Sequence, residues 1–415
     1  MAEFGFSCWT YFSINRAWDT LAKDYCDLGL NMPLTPVFNE GDDPEKLLRL
    51  LDQFHALGMK AIVFDNRVTA RGGMTLNEED YRAKFRASLA QFGRHPAVYG
   101  FYVGDEPDAP DASNFFAVAR IQREEAPNLT PFLNLLPWFD WIGERIGSPA
   151  YAPYLDRAVT EGNLALLGWD CYTQMWEGDS GWDVYFNNLR EMRDASLRHG
   201  VPFMNTVLST GHYDYACPDQ DAFRWQIATS AALGAKAVCY FYVAGAPHDN
   251  YRCFPINAFH ERTASFGWLS EENRFFQKRL GPQMTELTIE KAEFTLKSYG
   301  GLPAFAPDDG LLAADNAKGV NMLLSAFRDK NGVRYRTVVN LDRRKNIEAH
   351  LTFALGVKVE RKQWGDAWQP LTGPMDAVGA LSDDGRSVRM WLAPGQIELL
   401  RETTPFAHEE VTSPR

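Results

Sequence analysis

Over roughly its first 290 residues the chain alternates short, continuous apolar runs with longer segments whose apolar positions recur at helical spacing. The apolar runs fall at 4–11, 32–38, 60–65, 98–105, 130–136, 164–173, 202–209 and 236–243, and each is predicted as a strand. Amphipathic stretches at 18–28, 44–57, 78–92, 113–125, 151–161, 182–199, 220–233 and 270–286 are predicted as helices. Strands without polar alternation belong to a parallel sheet covered on both faces. Eight strand–helix repeats predict an α/β fold, a closed (β/α)8 barrel of the TIM type. An open, doubly wound sheet would carry a glycine-rich phosphate turn after its first strand, and Cys8-Trp9-Thr10-Tyr11 stands there instead. Gly29, Gly58, Gly200 and Gly234 each lie between a helical segment and the next strand, where a left-handed residue closes a helix.

The texture changes after residue 291. Short strands at 322–328, 335–340, 349–353, 388–392 and 397–400 predict a small antiparallel β-sandwich over 292–402. Asp329-Lys330-Asn331-Gly332 and Asp383-Asp384-Gly385 are its hairpin signals. Residues 403–415 read as a polar tail. Of 415 residues 45% are hydrophobic and 23% charged, the balance of a soluble globular protein. A net charge of −12 argues against a nucleic-acid or anionic-membrane surface, which needs clustered Lys and Arg. No apolar stretch approaches the roughly 20 residues of a membrane span. Met1 leads within three residues into the first strand, so no signal peptide is expected and a cytoplasmic setting is. Of six cysteines, Cys8, Cys171 and Cys239 fall in strands as small buried hydrophobes. Cys217 and Cys253 fall in loops after two strands, where they could meet, but their spacing calls for neither a disulfide nor a metal.

Candidate chemistry collects at the strand ends, where such a barrel builds its active site. The run Ala97-Val98-Tyr99-Gly100-Phe101-Tyr102-Val103 stops at Gly104-Asp105-Glu106-Pro107. Two adjacent carboxylates at the end of a buried strand raise each other's pKa, which suits proton transfer. The bland alternative is an acidic helix start, with Asp108, Asp111 and Ser113 following. Other strand ends offer Trp9, Tyr11, Asp65, Asn134, Asp170, Tyr172, Asn205, His212 and Tyr242, with Trp176 just beyond. Carboxylates, amides and aromatic rings together suit a polyhydroxylated ligand. Metal-dependent barrels need His pairs, and of eight His only His212 and His248 reach the rim. Nucleophile elbows, P-loops and dinucleotide fingerprints are missing from the sequence. Carboxylate chemistry without cofactor or metal is the expectation.

These residues resemble the barrel glycoside hydrolases that bind sugar at the strand ends. In their commonest clan an Asn-Glu pair ends strand four, and a second Glu ends strand seven. The resemblance implies an enzyme that cleaves O-glycosidic bonds of an oligosaccharide or glycoside, with Glu106 as general acid and Asp105 in place of the Asn. Strand seven, Phe203-Met204-Asn205-Thr206-Val207-Leu208-Ser209, carries no carboxylate. Asp170, ending strand six, is the first-choice partner, at a retaining or an inverting distance. Asp65 is the second choice and more naturally a ligand to a substrate hydroxyl. Trp9, Asn134, Tyr172, Trp176, Asn205, His212 and Tyr242 complete the expected sugar pocket. Pro202-Phe203, Arg224-Trp225-Gln226, Gly234-Ala235-Lys236-Ala237 and Tyr240-Phe241-Tyr242 also look like bacterial barrel proteins grouped with glycosidases. An adjacent Asp-Glu pair also resembles the barrel N-acetylhexosaminidases, which implies that Asp105 orients a substrate acetamido group while Glu106 protonates. A carbohydrate-binding barrel without catalysis is the third reading.

Overall fold

The computed structural model describes residues 3–245, 248–371, 380–381 and 386–403. It divides into two compact units, residues 1–285 with 299–302, and residues 286–298 with 303–415. The expected boundary after residue 291 falls inside a strand of the second unit, Thr288–Phe294.

In the first unit seven parallel strands form one sheet: β1 (Gly5–Cys8), β2 (Ala61–Val63), β3 (Val98–Asp105), β4 (Phe132–Leu135), β5 (Leu167–Asp170), β6 (Phe203–Leu208) and β7 (Ala237–Phe241). Their order is β1-β7-β6-β5-β4-β3-β2, so β1 and β2 would be edges. The segment 31–38 closes that gap. Met32 and Leu34 donate backbone bonds to Phe6 and Cys8 of β1, at 3.0 and 3.1 Å. Thr35 and Phe38 donate to Ile62 and Phe64, both at 2.9 Å. Pro33 and Pro36 have no N–H, so this eighth stave makes isolated bridges rather than a continuous ladder. The barrel is thus closed by eight staves.

Helices α1 (Leu21–Asp27), α2 (Pro44–Ala56), α3 (Glu78–Ser88), α4 (Ala109–Glu125), α5 (Gly143–Ile146), α6 (Tyr151–Gly162), α7 (Trp182–His199), α8 (Gln220–Ala232), α9 (Ala264–Arg279) and α10 (Gly281–Glu286) connect or follow the staves. Side chains at alternate strand positions point into the barrel or out to the helices. Met32, Leu34, Ile62, Phe64, Tyr102, Phe132, Met204, Ala237 and Cys239 form one buried cluster with Trp9. The interior is a packed core rather than a pore. Chemistry is therefore confined to the residues that cap it.

The second unit carries β8 (Thr288–Phe294), β9 (Leu311–Asn316), β10 (Met322–Arg328), β11 (Arg334–Asn340), β12 (Ile347–Phe353), β13 (Lys358–Lys362), β14 (Trp368–Pro370), β15 (Ala380–Leu381), β16 (Ser387–Leu392) and β17 (Ile397–Thr403). They form two antiparallel sheets, β14-β13-β17-β11-β10-β8 and β15-β16-β12-β9. Leu324, Val338, Leu351, Val359, Met390 and Leu400 belong to the core they share. The Asn331-Gly332 hairpin joins β10 to β11, with Gly332 at a φ of 82°. The other expected turn, 383–385, and the tail from 404 onward lie outside the described residues. Sequence pattern missed β13, whose buried Arg361 reads as surface. It pairs at 2.8 Å with Glu398, which is wholly buried.

Candidate active site

Both acids of the Gly-Asp-Glu-Pro stretch stand at the carboxyl end of β3, and a β-bulge decides where the first one points. Tyr102 pairs with Phe132, Gly104 with Leu133 and Asp105 with Asn134, so Val103 is skipped. Without that extra residue Asp105 would share the outward parity of Phe101 and Val103 and face the helices. Gly104 makes the bulge possible, because a Cβ there would lie 2.4 Å from Phe115 of α4. Asp105 accepts a 2.9 Å hydrogen bond from Asn134 Nδ2, and Thr206 donates to Asn134 Oδ1 at 3.5 Å. Glu106 has a φ of 41°, left-handed backbone that a non-glycine residue adopts at a cost of roughly 1–2 kcal/mol. Its N–H is held by the carbonyl of Asn134 at 2.9 Å.

Asp170, at the end of β5, faces Glu106 carboxyl to carboxyl, within reach of a hydrogen bond when one of the two is protonated. Burial, and then the charges of Glu106 and Asp105, hold the Asp170 carboxyl well above its ordinary range. One of its oxygens, Oδ1, and the nearby Tyr172 hydroxyl are buried with no hydrogen-bond partner among the described residues. Glu106 is also raised by burial. The Asp170 bond and Arg145, whose Nη2 lies 3.9 Å from Glu106 Oε2, partly oppose that rise. Arg145 is itself anchored by a 2.5 Å bond to Asp108. Asp105 is open to solvent, but only within a walled mouth. Confinement and its neighbour Glu106 push its carboxyl from 3.8 up to about 7.

That shift predicts a stability effect. An acid raised by folding stabilises the native state at low pH, and the contribution is lost as pH climbs through the raised value. Asp105→Asn is therefore expected to melt above the parent at about pH 8, the gain vanishing near pH 4. Thermal melts across that range check it.

Aromatic rings wall the three acids. Tyr11 is 50% exposed, lies 5.8 Å from Trp9 at 17°, and feels the charges of Asp105 and Asp170. Tyr242 braces it edge-on at 5.4 Å. Trp176 and Tyr215 stack at 6.4 Å and 6°, His212 and Tyr251 at 4.7 Å and 14°. Tyr172 stands edge-on to Tyr215 and His212. Burial lowers the His212 pKa, favouring the neutral ring.

The structure thus brings Asp105, Glu106, Asp170, Asn134, Tyr172, Trp176, His212 and Tyr242 to one mouth. Three expected site residues are elsewhere. Asp65 follows inward-facing Phe64 and so points outward, where Ser88 of α3 binds it at 2.6 Å and Arg67 at 2.9 and 2.6 Å. Asn205 follows inward-facing Met204 and bonds Tyr185 of α7 and Ser230 of α8, at 3.1 and 2.9 Å. Trp9 is 2% exposed and lies beneath Tyr11, which takes its place at the surface. Tyr215 and Tyr251 sit in loops beyond the strand ends and Arg145 in the short helix α5, where no spacing rule marks them. Cys217 and Cys253, for which no bond was expected, are joined by a disulfide. Among the described residues no group of three or more His, Cys, Asp or Glu is placed to hold a metal.

No protein-family model matches the chain, and no curated protein matches it by sequence. Among solved structures, a family 39 glycoside hydrolase from the gut symbiont Bacteroides cellulosilyticus WH2 matches over 96% of this chain and 81% of its own. The TM-score is 0.55 at 10% identity. The chain shares the fold of that protein. A glucosidase from Croceicoccus marinus matches over 97% of this chain and 96% of its own, at 12% identity and TM-score 0.48. A β-galactosidase from the psychrophilic Marinomonas ef1 matches over 65% of this chain, at 12% identity and TM-score 0.46. The chain spans 59% of that protein's length. At these identities the likeness is one of fold.

Proposed function

We propose that the protein hydrolyses O-glycosidic bonds by carboxylate acid–base catalysis. The observation that carries this reading is the facing pair of acids Glu106 and Asp170, brought together at the mouth of the barrel from staves two apart. Two acids this close titrate as a pair, with one proton held between the two groups before substrate arrives. Retaining and inverting pairs stand about 5–5.5 and about 6.5–9.5 Å apart, both wider than a carboxyl–carboxyl hydrogen bond. A sugar entering the mouth parts the two groups. The proton leaves with Glu106, the more open of the pair, and passes to the glycosidic oxygen. Arg145 then steadies the Glu106 carboxylate that remains. Asp170 is left charged in a confined site, as nucleophile or as base toward a water at the anomeric carbon. Its unpartnered Oδ1 and the Tyr172 hydroxyl offer bonds that sugar hydroxyls can complete. The glycoside hydrolase fold of the family 39 neighbour is consistent with this reading.

A second reading has its own support. Asp105 is aimed inward beside Glu106 by the bulge, where it could orient a 2-acetamido group while Glu106 protonates. Asp170 would then need no direct attack. Aryl glycosides that differ in anomeric configuration and in hydroxyl or acetamido at C2 separate the readings. Turnover of C2-hydroxyl substrates is expected. Turnover confined to acetamido sugars supports the second reading, and glycan binding without any turnover sinks both in favour of a carbohydrate-binding barrel.

No helix among the described residues is long and apolar enough to cross a membrane. The Cys217–Cys253 disulfide favours an oxidising compartment over the cytoplasmic setting expected from the sequence, because cytosolic thiols are kept reduced.

A further inference from the structure

Two loops rise beside Asp170, one after β6 at 209–219 and one after β7 that includes 248–263. Three ties join them. The first is the Cys217–Cys253 disulfide, 36 residues apart in sequence with Cα atoms 6.1 Å apart. In the second, Gly211 and Arg252 exchange two backbone hydrogen bonds, at 3.1 and 3.0 Å. In the third, Asn250 accepts from the Tyr213 N–H and donates to the Tyr213 carbonyl, both at 2.9 Å. A Cβ on Gly211 would lie 2.8 Å from Cys217 Sγ, so the glycine lets the bonded sulfur pack against the bridge.

These loops are held in a backbone shape they would not keep unaided. Tyr213, Asp249 and Cys253 have φ values of 45°, 46° and 67°, left-handed for non-glycine residues. Each half-cystine lies two residues from a ring of the mouth, Cys217 from Tyr215 and Cys253 from Tyr251. Tyr215 stacks on Trp176, and its hydroxyl feels the charges of Asp170 and Glu106. Tyr251 stacks between His212 and His248, at 4.7 and 4.3 Å, both at 14°. The disulfide thus ties together the two loops that carry these rings.

We propose that the Cys217–Cys253 disulfide is a positioning element for substrate: it holds Tyr215, and the His212–Tyr251 stack beside it, as a preformed wall against which a sugar ring rests. The bonded chain then binds glycoside tightly, and the dithiol form binds weakly with unchanged chemistry. Preformed walls favour binding because less ordering remains to be done when the ligand arrives. The proposal rests on the glycoside hydrolase reading of the same mouth.

A phosphine reductant tests it on the folded chain. The phosphine takes oxygen from water to become its oxide, and the disulfide takes two electrons and two protons to become two thiols. Reduction is expected to raise KM for a turned-over aryl glycoside about tenfold and to leave kcat within about twofold, with the pH profile unmoved. Reoxidation should restore KM, and Cys217→Ser should match the reduced parent. Hydrogen exchange provides a readout independent of activity, in which 209–219 and 248–263 lose protection on reduction while β5 and α7 keep theirs. Equal KM in the two forms overturns the proposal and leaves the hydrolase reading standing. Absence of turnover in both forms overturns the hydrolase reading and the proposal that depends on it. Unchanged exchange in the two loops removes the clamp whether or not any glycoside is cleaved.

Discussion

Glu106→Gln is expected to lower kcat on glycosides with poor leaving groups by about 10²–10⁴-fold, the usual worth of a positioned acid. Glutamine keeps the shape of the side chain and can still bond Asp170, but it has no acidic proton to give the glycosidic oxygen. The left-handed backbone at Glu106 is set by the β3 turn and the Asn134 carbonyl, so the fold should survive, as a thermal melt would report. A glycoside whose leaving group departs as a stable anion needs no protonation. The deficit should therefore shrink sharply on a dinitrophenyl glycoside. Loss of the Glu106 charge also relieves Asp170, whose carboxyl should fall back toward its ordinary range and shift the pH profile to lower pH. Activity within tenfold of the parent on poor leaving groups would remove Glu106 as the acid.

Asp170→Asn should be the more damaging change, and in a different way. If Asp170 attacks the anomeric carbon or activates water there, no choice of leaving group can bypass it. Losses of at least about 10³-fold, near 4 kcal/mol of barrier, are expected on activated and unactivated glycosides alike. The same substitution removes an acid whose pKa folding raises. The variant should therefore be more stable than the parent at alkaline pH and lose that advantage as pH falls below the ordinary aspartate range. Activity lost with stability gained separates a catalytic carboxyl from a structural one. Full turnover by Asp170→Asn together with loss by Asp105→Asn on acetamido sugars would move the chemistry to the substrate-assisted reading.

The barrel was legible because its signals are local. A strand buried on both faces must be apolar throughout, and a helix that turns back toward a strand needs a residue able to take positive φ. Gly29, Gly58, Gly200 and Gly234 all have it. Even the stave at 31–38, which Pro33 and Pro36 keep from forming a ladder, shows in its apolar run. Asp105-Glu106 was legible for a related reason, since a buried apolar strand that ends in two acids has few bland explanations. In the second unit, strands whose buried positions hold paired ions, such as Arg361 of β13, carried no such pattern.

Composition and order along the chain by themselves determined that eight apolar runs alternate with helices, and that carboxylates wait at the ends of β3 and β5. Only the folded chain decided which way each of them faces. Strand side chains alternate with a period of two, so one position or one bulge moves a residue from the mouth to the helices. Asp65 and Asn205 were lost to the site by that parity, and Asp105 was returned to it by the skipped Val103. The disulfide and the rings beside it join loops far apart in sequence. Such contacts follow from closing the barrel, which no stretch of sequence short enough to read as a motif contains.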